Sequence, residues 1–421
     1  MSGRAWLRWL CVFAALGLGA SLGLATRTRA PGVAEARAFY ARQPRYLRPV
    51  PSSPVPRGLP DVRAETCGGC HRAIYAEWRV STHARAWLDD PQFQEELKKT
   101  RASKDGDASW MCVNCHTPYE DQLERLVVGL VEGHRGRPAT IPNPRFDPAL
   151  QREAITCATC HVRDGVVLGP WGDTSAPHPV RRSEELLGPA VCTQCHQASA
   201  TFPELNLACA FETGREHAEG PHAATPCQEC HMPAVRRPLT AQGTPPRRTR
   251  RHWFGGSLIP KRPEFEAELA PLRAVYPDGL TARWVDPPAR LPSGRTTELT
   301  LEIENAHAGH RLPTGDPERF LLVEAEVRDP EGAVLARRSE RIGTVYRWDP
   351  PVQKLSDNRL APGERRRFTL RFVPSAGPLT LRLVCSKWRI SQENLRYHHL
   401  EGRTVPGRVF FEDTRQLPVG P

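Results

Sequence analysis

Methionine is nearly missing from these 421 residues: three occur, and beyond the initiator only Met111 and Met232 remain. Both abut a cysteine-rich frame, so neither can readily reach the far side of a group held there. Aromatic residues are scarce at 7%, while proline reaches 42 residues, about twice its usual share. Such a composition gives the first half of the chain little with which to build an ordinary apolar core. The single long apolar run, Trp9 to Ala25, falls short of the roughly 20 residues that span a bilayer. An acidic excess is missing as well, because 58 Lys and Arg outnumber 47 Asp and Glu for a formal charge of +11. Taken alone, that balance points to nucleic acid or a membrane surface.

Cysteine, by contrast, is abundant and ordered. Ten of the thirteen cysteines fall in five frames: Cys67-x-x-Cys70-His71, Cys112-x-x-Cys115-His116, Cys157-x-x-Cys160-His161, Cys192-x-x-Cys195-His196 and Cys227-x-x-Cys230-His231. C-x-x-C-H is the attachment spacing of haem c. Two thiols three residues apart form thioethers to the two vinyl groups, and the next imidazole is the proximal iron ligand. At this chain's Cys and His frequencies, chance supplies roughly 0.01 such frames. A zinc reading wants C-x-x-C pairs closed by a second pair or a distant His, not a His on every pair. The sequence therefore calls for five covalently attached haem c groups. Their propionates bring about ten negative charges and their ferric centres about five positive, which leaves the loaded protein near +6 oxidised and +1 reduced. The basic excess is then mostly counter-charge, and nucleic acid is set aside.

The N-terminus carries Arg4 and Arg8, then the run 9–25, then Arg27 and Arg29. A basic flank followed by an apolar run is an export signal, so 1–30 reads as a signal or anchor. The body is placed on the periplasmic side of the membrane or exported, with residues 9–25 able to anchor it. Three cysteines lie outside the frames: Cys11, in the apolar run without a lipoprotein-type context, and Cys209 and Cys385, for which two buried free thiols are expected over a disulfide in that oxidising space. Residues 31–60 are Pro- and Arg-rich and read as a tether. The frames occupy 61–256, starting 45, 45, 35 and 35 residues apart. That is too little chain per haem for separate domains, so one shared core is expected, with short helices such as Arg72–Leu88 and long loops. A linker follows at 257–292. From 293 to 415 the pattern alternates with period two, in Thr297–Glu304, Leu321–Val327, Phe368–Phe372 and Leu379–Val384, between turns such as Asp329–Gly332. Short alternating strands of this kind predict an antiparallel β-sandwich, Ig-like in type. The fold class is accordingly α + β and multidomain.

Each iron's sixth position decides its chemistry. Ten histidines lie outside the frames, at 83, 134, 178, 217, 222, 252, 307, 310, 398 and 399, so bis-histidine ligation is available by number alone. The stretch Trp78-Arg-Val-Ser81-Thr-His83-Ala84 resembles the multihaem cytochromes related to the tetrahaem c-type cytochrome of nitrification, in which the histidine of W-x-x-S-x-H-A ligates a haem. Ala154-Ile-Thr-Cys157, Gly165–Pro170 and Ala176-Pro-His178-Pro-Val180 are similar to segments of the same larger group. Cys227–Pro233 resembles the C-x-x-C-H-M-P of pentahaem nitrite reductases, with His222 upstream. Arg251-His252-Trp-Phe-Gly-Gly256 and Ala308-Gly-His310-Arg-Leu-Pro-Thr-Gly315 complete a resemblance covering about 250 residues. It implies His83, His178, His222, His252 and His310 as distal ligands, with His217 a rival to His222. His134 and His307 read as structural or surface, and His398-His399 as surface. All five frames end in His, without the C-x-x-C-K of nitrite reductase active sites. No tyrosine sits in the setting of the hydroxylamine-oxidising family's cross-link.

Two functions remain. The first is an electron carrier or relay serving redox protein partners, with no substrate of its own. The alternative is an oxidoreductase acting on a small nitrogen or sulfur compound at one five-coordinate haem.

Overall fold

The computed structural model describes residues 32–172, 174–375 and 377–420. The 9–25 run lies outside them. Among the described residues no helix is long and apolar enough to cross a membrane.

The first half is a set of short helices joined by loops and two- or three-stranded ribbons. Each cysteine frame sits on a helical turn: Ala64–Cys70, Ser109–His116, Cys157–His161, Ala190–His196 and Cys227–His231. Helical winding brings positions i and i+3 onto one face, so both thiols of a frame project together and the histidine follows at the end of the turn. The expected helix 72–88 stops early, at Arg72–Arg79. Beyond it the backbone turns, and the Ser81 hydroxyl accepts from the Ala84 amide at 3.3 Å, a local bond that competes with helix continuation.

Residues 31–60 differ from the expected tether. Val33–Ala41 is a helix whose Ala36, Phe39 and Tyr40 are buried. Phe39 meets Trp110 edge-on with ring centroids 5.8 Å apart, and the Val127 amide donates to the Tyr40 hydroxyl at 3.2 Å. Proline density hid three apolar residues spaced to share a helix face. Further on, Gly58 (φ +92°) packs so closely on Pro177 that a Cβ there would lie 2.1 Å from the Pro177 carbonyl oxygen. Only glycine fits both that φ and that approach, and the contact braces the backbone beside His178.

The linker expectation for 257–292 is corrected in the same way. Leu258, Leu269, Leu272 and Tyr276 form a small core, and Leu280–Val285 is a strand paired with Thr297–Asn305. The C-terminal half therefore begins at about 280. It contains two antiparallel sheets. One orders Leu280–Val285, Thr297–Asn305 and Arg365–Phe372; the other orders Gln353–Asp357, Val334–Arg347, Phe320–Arg328, Leu379–Trp388 and Gly407–Leu417. Leu299, Leu301 and Ile303 from the first sheet share one core with Val323, Ala325, Val327, Leu381 and Leu383 from the second. Burying each large side chain of this kind is worth about 1.5–3 kcal/mol, so this half holds itself together by ordinary means. Cys385 lies within that core, Cys209 lies in the first half, and both thiols are free.

Candidate functional site

One cavity of about 2490 Å³ runs through the first half and against the second. Ordinary ligand pockets hold about 300–1,000 Å³, so this one has room for several large groups. Every cysteine and histidine of the five frames lines it, as do His83, His178, His217, His222, His252, His307, His310 and His398. Among the described residues no group of three or more His, Cys, Asp or Glu gathers as a bare metal-ion site.

Histidine rings face each other across this space in three places. His83 and His196 have centroids 6.3 Å apart, His161 and His252 6.3 Å, and His231 and His310 6.2 Å with planes within 9° of parallel. Two imidazole nitrogens at about 2 Å on opposite sides of one metal stand about 4 Å apart, and the rings extend the centroid separation to about 6 Å. Each pair joins one frame histidine to one non-frame histidine. That spacing, the paired frame thiols and the apolar volume fit haem c.

Second contacts fix which nitrogen faces inward. The Nδ1 atoms of His71, His116, His161 and His231 lie 3.0, 2.7, 2.8 and 2.5 Å from the carbonyl oxygens of Leu239, Ala86, Leu168 and Gly255. His252 and His310 do the same with Arg250 and Arg311, at 3.0 and 2.9 Å. An Nδ1–H donated to a carbonyl leaves Nε2 bare and basic, the form a metal takes. Burial also lowers the imidazole pKa values, to about 3 for His83 and about 4 for His116, His196 and His252, so these rings are neutral at pH 7. Several are only half-buried by surface area because the surface they expose faces the cavity.

The remaining expected ligands are placed differently. Burial lowers the pKa of His178, and His71 lies close enough to lower it further. His222 is exposed and packs with His217 near Gly309, and no ring contact seats it opposite a frame histidine. His116 has no histidine ring facing it; Phe93 stacks on it instead, with centroids 3.5 Å apart and planes within 5° of parallel. His398, expected at the surface, is 8% exposed. Its Nε2 lies 3.0 Å from Glu96 and its Nδ1 2.7 Å from Lys99 Nζ. A helix from Gln392 to Tyr397 turns it inward.

Several positioning residues carried no signal in the sequence. Glu77 is 5% exposed and accepts from Arg237 at 2.6 Å, Arg251 at 2.5 Å and the His252 backbone amide at 3.0 Å. Burial alone would raise this carboxyl, but the two arginines and the amide outweigh it and its pKa is lowered. Trp78 donates to the Ile155 carbonyl at 2.9 Å, and the Ile155 amide donates to the His83 carbonyl at 3.2 Å; the stretch containing His83 is thereby pinned beside the third frame. Glu216 takes Arg359 Nη1 at 2.5 Å and the Thr314 hydroxyl at 2.7 Å, tying the loop that carries His310 to the first half. Asp90 takes Lys261 and Arg389. Burial pulls Lys261 down to about 8, whereas the two cations hold Asp90 well below the usual carboxylate range despite its burial. Two cations share one carboxylate, so the carboxylate is charged and Lys261 bears the strain.

The description "Cytochrome c554 and c-prime" belongs to a family model that matches residues 66–132. A pentahaem cytochrome c552 from Thermochromatium tepidum shares the fold, with 18% sequence identity and a TM-score of 0.61 over 86% of this chain and 100% of that one. The sporulation control protein Spo0M from Bacillus subtilis matches at 10% identity over 34% of this chain and 51% of its own, with a TM-score of 0.17. A Salmonella alpha-2-macroglobulin variant matches at 15% over 34% and 7%, with a TM-score of 0.18. Scores that low carry no conclusion. No curated protein matches the chain. The frames, the cavity, the family match and the shared fold together support a multihaem c-type cytochrome.

Proposed function

We propose that this chain is an exported pentahaem c-type cytochrome that relays electrons between redox proteins, with bis-histidine ligation at most of its irons. Haem c, when bound, supplies iron that cycles between ferric and ferrous states. The observation that carries the reading is the set of three frame-to-non-frame histidine pairs 6.2–6.3 Å apart. His83, His252 and His310 are assigned as the distal partners of His196, His161 and His231, and His178 as that of His71. His222 stays a candidate without a facing frame.

The proximity of thiols from different frames supports a route. Cys157 lies near enough to Cys67 to lower its pKa, Cys115 and Cys227 raise those of Cys195 and Cys192 in the same way, and Cys160 lies within electrostatic reach of Cys195. The first frame therefore leads to the third, the third to the fourth, and the second and fifth branch from the fourth. Relay in this order needs no large motion, because every frame is held on a short helix whose histidine is bonded to or packed against the fold.

A second reading is favoured by His116. Its frame ends a branch and meets no histidine, so its opposite side is open to a small nitrogen or sulfur compound. Mass spectrometry of the exported protein should count five covalent haems, and low-temperature EPR of the oxidised form should show mostly low-spin iron. A single high-spin haem would place the open site at the His116 frame; three or fewer haems in mature protein would overturn the architecture.

A further inference from the structure

The cavity wall beside the Cys112–His116 frame is built by both halves of the chain and is crowded with ionisable groups. Asp90, Glu96, Lys99 and Lys261 reach it from one side, and Asp316, Glu318, Arg319, Arg389 and His398 from the other. Asp90, Lys261 and Arg389 form a closed ion network, although Arg389, at 8% exposure, keeps an Nη1 with no partner. Glu318 is different. Among the described residues it has no ion pair; its side chain takes a neutral donor, Asn394 Nδ2. Asp316, whose charge reaches His116, also acts on Glu318, as does Glu96. Glu96 in turn acts on Cys112 and contacts His398, which contacts Lys99. Lys99 sits 4.0 Å over the ring of Tyr397, a residue that is 70% exposed. A chain of exchangeable groups thus leads from the surface to the wall facing the frame.

We propose that Glu318 takes up and releases the proton that accompanies electron uptake at the His116 frame, exchanging it with solvent through Glu96 and His398. This rests on the reading of the His116 frame as open on its far side. Where the pH is high enough for Glu318 to be ionised, the arrival of one electron from a redox partner lets its carboxylate gain one proton from solvent and become the neutral acid. When the electron leaves, that O–H bond breaks and the proton returns. The net charge of the enclosed pocket is then unchanged by reduction, which avoids the cost of an uncompensated buried charge.

Groups from every neighbouring element bear on Glu318. Burial dominates and, with Asp316 and Glu96, pushes the carboxyl up to about 8, while Asn394 and Lys99 pull it down less strongly; Arg341 also lies within its field. The carboxyl is therefore protonated near neutral pH and ionises above it.

The test is spectroelectrochemical titration of the mature five-haem protein and its Glu318→Gln variant from pH 6 to pH 9, with EPR identifying the high-spin haem. The variant is near-isosteric and mimics the protonated acid. Wild type should show a midpoint potential of the high-spin haem that falls as pH rises. Glu318→Gln should match wild type at pH 6 and lose the slope by pH 9, and the exposed Glu393→Gln should retain it. A high-spin haem whose slope survives Glu318→Gln overturns the proposal alone. Absence of any high-spin haem overturns the open-face reading and the proposal with it.

Discussion

Replacing Glu77 by Gln tests how the His252 side of the cavity is held. Glu77 is 5% exposed and bonds Arg237, Arg251 and the His252 amide. Gln keeps the shape but removes the charge, leaving Arg237, whose side chain is 11% exposed, without its counter-ion. Breaking a buried pair costs about 3–5 kcal/mol. Arg237 retains the Thr249 hydroxyl at 3.1 Å and the Arg250 carbonyl at 3.1 Å, and Arg251 stacks over Trp253 at 4.7 Å. Those neutral contacts put the loss near the lower bound, about 3 kcal/mol. For a unit the size of the first half this lowers Tm by roughly 6–12 °C. The sign with pH is also fixed. The folded pKa of Glu77 is lowered from 4.5, so its stabilisation is present above that value and fades as pH falls below it. Wild type and variant should therefore differ at pH 7 and converge in acid. Calorimetry of the mature protein supplies the comparison, with EPR following the haem opposite His252. A shift under 2 °C at pH 7 together with an unchanged spin state would refute the reasoning.

His310→Ala should turn one haem high-spin or water-ligated and raise its potential, because the facing ring 6.2 Å from His231 is gone; an unchanged EPR spectrum would remove His310 from the proposed ligand set. Arg359→Gln leaves Glu216, whose side chain is 1% exposed, without its cation at the junction of the halves. The expected loss is about 3 kcal/mol, read as faster proteolytic nicking between 257 and 280, and equal nicking rates would show that Thr314 alone holds the loop.

The chemistry was legible in the sequence because it is local. A C-x-x-C-H frame needs only five consecutive residues to state its purpose, and each frame folds as the helical turn its spacing requires. The strands Phe320–Arg328 and Leu379–Trp388 were legible for the same reason, since alternation along one strand marks its buried face. Gln353–Asp357 was not, because an edge strand exposed at every residue has no alternation to show. Ligand pairing was the least legible part. Resemblance proposed both His83 and His222, the latter with His217 as a rival, yet only the fold decides which frame a loop histidine faces. Five histidines in the resembling stretches against five frames suggested a complete set, and the stacking of Phe93 on His116 shows why a count is not a pairing.

Glu77, Glu216 and Asp90 share a logic that explains why none announced itself. Each is a buried carboxylate bonded to arginine or lysine far along the chain, 160, 143 and 171 residues away for Arg237, Arg359 and Lys261. A haem cavity cannot be tightened by apolar packing from within, because its centre is reserved for the porphyrins. The walls must then be fastened to one another at their edges, and bonds of long sequence separation are the means available. That places charged pairs where an ordinary protein would place leucine. It also makes the seam between the halves electrostatically active, since Lys261, Arg319, Arg389 and Glu318 all reach the cavity there. A seam rich in ionisable groups holds the β-sheet half in place and can answer a change of charge inside, which buried leucines could not do.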